Sequence, residues 1–135
     1  MKQFFFFIAT AMAALYADAQ KDYKVVFDLT SPDTIAQKNL VRWAGEISKE
    51  PGSQVEVVLY GKSLNMVVKD RSVVATQISE LAKKNNVSFK VCEQAMKHNN
   101  IAREQLLPGV GTVPDGIYEI IKKQREGFGY IKAAQ

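Results

Sequence analysis

The chain has 135 residues, the size of one domain, and its formal net charge at pH 7 is only +4. Lysine and arginine occur in pairs and not in long basic tracts, which argues against a nucleic-acid-binding protein. One histidine and one cysteine are too few for a metal site, so we predict no metal and no cofactor.

The N-terminal residues have the three parts of a secretory signal peptide. Lys2 supplies the positive start, residues 4–15 carry no charge, and Ala17-Asp18-Ala19 fits the small-x-small cleavage pattern. The uncharged run is shorter than the roughly 20 residues that span a bilayer, so we expect no stable membrane anchor after cleavage. We predict a signal peptide at residues 1–19, one domain at residues 20–135 and export to the bacterial periplasm.

Strands and helices alternate along the first half of the mature chain. Residues 23–29 form an apolar run that predicts a buried strand, and the hydroxyls and proline of Thr30-Ser31-Pro32-Asp33 predict the start of a helix. An apolar stripe continues that helix to Ile47, and Pro51-Gly52 ends it. Residues 55–60 predict the second strand.

The same alternation continues through the second half. Residues 63–68 suggest a short helix, and the next helix has Asp70 or Ser72 as its cap and Asn85-Asn86 as a left-handed exit. Residues 87–91 predict a third strand, followed by Cys92 and a helix over residues 93–98. Residues 112–113 suggest a short strand, Pro114-Asp115 opens a helix that Gly127 ends, and residues 128–131 predict the last strand.

This alternation predicts an α/β fold, a three-layer sandwich in which helices cover both faces of a mainly parallel sheet of about five strands. Sites in such sheets lie at the carboxyl ends of the strands, where Cys92 falls. We therefore name Cys92 as the candidate catalytic residue. The residues expected to line its pocket are Asp28, Thr30, Tyr60, Gly61, Asn65 and Glu93.

Cys92 is the only cysteine of a chain that we predict to be exported, which indicates a working thiol or an intermolecular disulfide. The first turn of the following helix would favour its thiolate, whereas the charge of Glu93 opposes it. Free cysteine is also a common buried residue, so a purely structural role stays open. His98 lies six residues on, which on a regular helix turns it away from Cys92, so we predict a surface histidine and no Cys/His pair.

Three segments together resemble the DsrE/DsrF-like family, to which YchN-like proteins belong. They are Lys-Val-Val-Phe-Asp-Leu at 24–29, the cysteine segment at 87–101, and Leu-Pro-Gly-Val at 107–110 with Gly-Phe-Gly-Tyr-Ile at 127–131. The resemblance implies flavodoxin-like layering and a homo-oligomer, either a trimer or a hexamer. It also implies a cysteine that accepts sulfur as a persulfide and passes it to a partner protein, and Cys92 stands at that position. Where many relatives have Arg-Gly, this chain has Asn99-Asn100.

Our leading hypothesis is an exported sulfur carrier that uses Cys92 as its persulfide site and exchanges sulfur with a donor and an acceptor protein. The alternative is a non-catalytic homo-oligomer that binds a small ligand or a protein, with Cys92 structural. A third reading is a redox-responsive protein in which Cys92 pairs across subunits. The residues give no direct sign of turnover, so sulfurtransferase-like enzyme activity stays open.

Overall fold

A computed structural model describes residues 22–134. The signal peptide predicted at residues 1–19 lies outside the described residues and stays a prediction. Five parallel strands form one sheet in the order β4-β3-β2-β1-β5. The strands are β1 (Lys24–Leu29), β2 (Gln54–Leu59), β3 (Val87–Cys92), β4 (Gly111–Val113) and β5 (Gly129–Lys132).

Helices cover both faces of this sheet, as predicted. The α-helices are α1 (Thr34–Ile47), α2 (Ala75–Ala82), α3 (Glu93–His98) and α4 (Gly116–Arg125). The short helix expected near residues 63–68 is a 3₁₀ helix at Leu64–Val67, and a second 3₁₀ turn spans Arg103–Gln105. None of the helices between residues 22 and 134 has the length and apolar character needed to cross a bilayer.

The strands are apolar on both faces, and alternate residues contribute to two core layers of unequal size. In β1, Phe27 and Leu29 belong to the larger layer, which also takes side chains from α1 and α2. Val26 belongs to the thinner layer, which it shares with Val58, Ile120 of α4 and Phe128. In each strand, the residues that lie between those of the larger layer therefore point toward α4.

The helix starts differ from the predicted caps. The Asp33 carboxylate accepts a hydrogen bond from the Ile35 N–H at 2.9 Å, so Asp33 caps α1 and the hydroxyls of Thr30 and Ser31 do not. Neither Asp70 nor Ser72 is the cap residue of α2. That residue is Val74, whose N–H donates to the Ser72 hydroxyl at 3.2 Å.

The predicted left-handed exit at Asn85-Asn86 is wrong. Asn86 instead uses its side-chain amide to donate to the Ser48 carbonyl and the Ser53 hydroxyl, both at 3.0 Å. Among residues 22–134, Asn100 is the one residue other than glycine with a positive φ, at 51°. It lies two residues after His98, the last residue of α3, so this asparagine supplies the left-handed turn after the helix.

We expect Asn100→Val to destabilise the protein by about 1–2 kcal/mol, because a β-branched side chain is strained in the left-handed region. Asn100→Gly should be as stable as the original chain or slightly more stable. Urea denaturation measures both. Asn85→Val, at an exposed position without positive φ, is the matched control and should change the stability by less than about 0.5 kcal/mol. Equal stability of the two valine variants would contradict this account of the turn.

Candidate thiol site at the carboxyl edge of the sheet

Cys92 is the last residue of β3 and the residue that precedes α3. Its backbone is extended, with φ −67° and ψ 119°, and its sulfur caps none of the helix N–H groups. The residue is only 6% exposed. Cys92 nevertheless lines a cavity of about 420 Å³ at the carboxyl edge of the sheet.

Three segments surround this cavity. The loop after β2 contributes Tyr60, Gly61 and Lys62, and one side of α3 contributes residues that include Ala95 and His98. The start of α4 forms the third wall. Of the predicted pocket residues, Tyr60 and Gly61 therefore lie beside Cys92.

The first residue of α4, Gly116, packs closely against Cys92. A Cβ atom added at Gly116 would lie 3.2 Å from Val58 Cγ1, 3.3 Å from Cys92 Cβ and 3.3 Å from Tyr60 Cδ1. Asp115, the cap of α4, accepts hydrogen bonds from the N–H groups of Ile117 at 2.8 Å and Tyr118 at 3.4 Å. A glycine at this position lets the helix start approach the sheet beside Cys92.

His98 is the last residue of α3 and is exposed, as predicted, but it does not point away from the Cys92 site. Both side chains line the same cavity. The rotation argument fails because Cys92 lies before the helix with an extended backbone, so helical turns cannot be counted from it. Ala95 and His98, three residues apart, lie on the side of α3 that faces the cavity.

Glu93 is held away from the thiol. Its carboxylate accepts hydrogen bonds from the Arg103 guanidinium at 3.1 Å and the Thr112 hydroxyl at 2.8 Å, and it is not among the residues lining the Cys92 cavity. The negative charge of Glu93, which was expected to disfavour a Cys92 thiolate, is thus paired with the Arg103 guanidinium.

Two other predicted residues lie outside the lining of the Cys92 cavity. The Thr30 carbonyl accepts from the Lys62 N–H at 3.1 Å, so Thr30 supports the loop that carries Gly61. Asn65 is exposed on the 3₁₀ helix, where its side chain accepts a hydrogen bond from Arg71 at 3.3 Å.

Asp28 is buried at the centre of a polar cluster with Tyr60 and Tyr130. Its Oδ2 accepts hydrogen bonds from the Tyr60 hydroxyl at 3.2 Å and the Tyr130 hydroxyl at 2.6 Å. Asp28 is 3% exposed, and its Oδ1 is buried without a hydrogen-bond partner. It lines a neighbouring cavity of about 250 Å³, which shares Tyr60 and Ile117 with the Cys92 cavity.

Both phenols are shifted toward their neutral forms. Burial, followed by the negative charge of Asp28, raises the pKa of Tyr60 from 10.0 to about 12. The hydrogen bond to Asp28, followed by burial, raises the pKa of Tyr130 from 10.0 to about 12. The two tyrosines therefore remain hydrogen-bond donors to Asp28 throughout the physiological range.

A second buried carboxylate lies at the opposite end of the sheet. Glu56 is 4% exposed and accepts a hydrogen bond from the Ser88 hydroxyl at 3.0 Å, while Lys123 lies 3.4 Å from its Oε2. Its Oε1 is buried without a partner, and burial raises the pKa of Glu56. Unlike Asp28, this carboxylate has a cation beside it.

Sequence reasoning missed Tyr130, His98 and Gly116 as parts of this region. Gly116, directly after the cap residue Asp115, was the one feature of the local sequence that indicated close packing of the start of α4 against the sheet. Within residues 22–134 no group of three or more histidine, cysteine, aspartate or glutamate side chains could hold a metal ion.

The comparisons with known proteins agree with the fold. The model of the DsrE/DsrF-like family matches residues 24–133, so the chain belongs to that family. No curated protein matches this sequence significantly.

Solved structures show the same architecture. MTH1491 of Methanobacterium thermoautotrophicum, described as a protein of unknown function, is 28% identical, with a TM-score of 0.76 over 82% of this chain and 99% of its own. BT1422 of Bacteroides thetaiotaomicron, a conserved protein of unknown function, is 18% identical with a TM-score of 0.67, over 81% and 93% of the two chains. The ychN protein of E. coli is 14% identical with a TM-score of 0.66, over 82% of this chain and 98% of its own.

We expect Gly116→Ala to destabilise the protein by about 1 kcal/mol, because crowding against three neighbours outweighs the helix preference of alanine. Gly45→Ala is the matched control. A Cβ at Gly45 meets only Leu81 at 3.8 Å, so this substitution should stabilise the protein by about 0.5–1 kcal/mol. Urea denaturation compares the two. If both variants gained stability, the start of α4 would not be packed tightly against Cys92.

Asp28→Asn should lower the pKa of Tyr130 toward 10.0, because the hydrogen bond to Asp28 is its main cause of elevation. The pKa of Tyr60 should fall less, since burial is its main cause. In the original chain, the raised pKa values of Tyr60 and Tyr130 make their full contribution to the stability of the fold below pH 10. This contribution is lost as the pH rises toward 12.

Titration of ring-labelled tyrosines by NMR, assigned with Tyr60→Phe and Tyr130→Phe, measures both pKa values. Asp33→Asn, which alters an exposed cap of α1, is the control and should shift neither tyrosine. An unchanged pKa of Tyr130 in Asp28→Asn would show that the raised pKa of this phenol does not depend on the Asp28 carboxylate.

Proposed function

We propose that the protein carries sulfane sulfur as a persulfide on Cys92. The observation that carries this proposal is that the only cysteine of the chain lines a cavity of about 420 Å³ at the carboxyl edge of a parallel sheet. Ligand sites in such sheets concentrate at this edge. Membership of the DsrE/DsrF-like family supports the same reading.

The chemistry needs one thiolate and no bound metal or nucleotide. The Cys92 thiolate attacks the outer sulfur of a donor persulfide, R–S–SH, so a bond forms between that sulfur and Cys92. The S–S bond of the donor breaks and R–S⁻ leaves. In the second half, an acceptor thiolate attacks the outer sulfur on Cys92 and regenerates the Cys92 thiolate. Sulfur is transferred without net oxidation.

The surroundings of Cys92 fit this chemistry. Lys62 lines the cavity, and the nearby carboxylate of Glu93 is paired with Arg103. Cations near a cysteine favour its thiolate.

We include in the proposal the export and the homo-oligomeric state expected from the sequence, with a donor and an acceptor protein as partners.

One observation favours the alternative of a non-catalytic binding module. Cys92 is 6% exposed and contacts the larger core layer, which suits a packed residue. The rate of Cys92 alkylation in native conditions distinguishes the two functions. A thiol that reacts only as fast as the whole domain unfolds has a structural role, whereas faster labelling requires access through the cavity.

Intact mass spectrometry tests the carrier function directly. After incubation with a sulfane sulfur donor, we expect a gain of sulfur that a reductant removes. Cys92→Ser should gain none, and because the chain has no other cysteine, the signal reports on this thiol alone. If the original chain gained no sulfur while a known persulfide-forming protein did so, the carrier proposal would be wrong.

A further inference from the structure

Glu56 is a buried carboxyl group whose two oxygens have unequal surroundings. It lies on β2, is 4% exposed and faces α4. Its Oε2 accepts a hydrogen bond from the Ser88 hydroxyl at 3.0 Å and lies 3.4 Å from the Lys123 ammonium group. Its Oε1 is buried and has no donor. A buried polar oxygen without a hydrogen-bond partner is unfavourable, so Oε1 requires an explanation.

A second carboxyl group lies against the first. Glu119 precedes Lys123 by one turn of α4, so both side chains lie on the same side of this helix. The carboxyl groups of Glu56 and Glu119 are in hydrogen-bonding contact. Two ionised carboxylates can only accept hydrogen bonds, whereas a protonated carboxyl group can donate one. A proton on Oε1 that is donated to Glu119 would therefore give this buried oxygen its partner.

The surroundings of the two groups assign this proton to Glu56. Glu56 is buried whereas Glu119 is only partly buried, and burial disfavours the charged form of an acid. Glu119 lies in the first turn of α4, where the helix dipole favours a negative charge. Burial, followed by the hydrogen bond with Glu119, raises the pKa of Glu56, and together these effects outweigh the opposing charge of Lys123.

The other charged groups near Glu56 do not take the place of the proton. Lys123 also contacts Glu126, whose Oε2 lies 3.3 Å from the ammonium group, so its charge is divided between two carboxyl groups. Lys24 of β1 and Lys90 of β3 lie on the same face of the sheet, each two residues along its strand from the residue opposite Glu56. Within residues 22–134, neither of these two lysines forms an ion pair with Glu56.

We propose that Glu56 and Glu119 share one proton and form a pH-sensitive latch that fastens α4 to the sheet. With the proton in place, Glu56 donates a hydrogen bond to Glu119 and holds the helix against β2. Loss of the proton to water brings two negative charges into contact and repels α4 from β2. The apolar layer under α4 is small, with four buried members, so it offers little resistance to this repulsion.

The sign of the pH dependence follows from the raised pKa of Glu56. The folded chain holds this proton more tightly than the unfolded chain, in which the group has its ordinary pKa of 4.5. The latch therefore stabilises the fold fully below pH 4.5, and its contribution is lost as the pH rises through the raised pKa. An ionised Glu56 that is stabilised by Lys123 would have a lowered pKa and the opposite dependence.

Urea denaturation of the original chain and of Glu56→Gln at a series of pH values separates these two cases. Glutamine resembles the protonated acid, so the two midpoints should agree below pH 4.5, and Glu56→Gln should become the more stable protein as the pH rises. Glu80→Gln, at an exposed position on α2, is the control and should follow the original chain. Equal or lower stability of Glu56→Gln above pH 4.5 would overturn the shared proton.

Carbon NMR titration of the side-chain carboxyl groups of the original chain follows the proton directly. Glu56, assigned through its backbone, should titrate above 4.5. Glu119→Gln removes the charge of the partner and should bring the pKa of Glu56 closer to 4.5, whereas Glu80→Gln should leave it unchanged. Titration of Glu56 at or below 4.5, or a pKa that does not respond to Glu119→Gln, would contradict the pair. The titration of the original chain decides the question even if Glu56→Gln fails to fold.

Hydrogen exchange tests whether the pair fastens the helix. As Glu56 loses its proton, the amides of α4 should lose protection relative to those of α1, after correction for the intrinsic effect of pH on exchange. Glu56→Gln should keep α4 protected over the same pH range. Constant relative protection of α4 while Glu56 titrates would overturn the latch. None of these measurements involves Cys92, so their outcome is independent of the carrier function.

Discussion

The parallel pairing of β2 with both β1 and β3 determines where Asp28, Tyr60 and Cys92 lie. The pairing brings Leu29, Leu59 and Val91 into one row across the sheet. Tyr60 and Cys92 follow in the next row, and Tyr60 reaches back to Asp28. A shift of one residue in either pairing would move a site residue to the opposite face of the sheet. The hydrophobic strands thus fix the site even though they contribute few side chains to it.

The two faces of the sheet are unequal, and the polar chemistry lies on the weaker one. The larger core layer takes side chains from α1, α2 and three strands, whereas the layer under α4 has only four buried members. Asp28 and Glu56, the two carboxylates that each have one buried oxygen without a hydrogen-bond partner, occur on the α4 face. A thin apolar layer leaves room for the cavities that Glu56 and Asp28 line. The α4 side of the sheet therefore carries both of these carboxylates, and the start of α4 packs beside Cys92.

The sequence predicts the sheet and the position of Cys92 because these depend on local patterns. The apolar runs of β1, β2 and β3 identify buried strands, and the carboxyl ends of parallel strands meet at one edge. Tyr130 could not be predicted as a partner of Asp28, since this contact depends on β5 pairing beside β1. His98 was misplaced because the prediction assumed helical geometry through Cys92. The caps of α1 and α2 were misassigned because serine, threonine and aspartate can all accept the same backbone hydrogen bonds.

The hydrogen bond between Tyr130 and Asp28 joins residues that are 102 positions apart. A contact of this separation closes nearly the whole domain, and it exists only where the last strand along the chain, β5, pairs with the first, β1. Unfolding that begins at the short edge strand β5 would dismantle the cluster while the larger core layer remains. The environment of the Tyr130 ring is consequently a natural reporter of whether the final strand has joined the sheet.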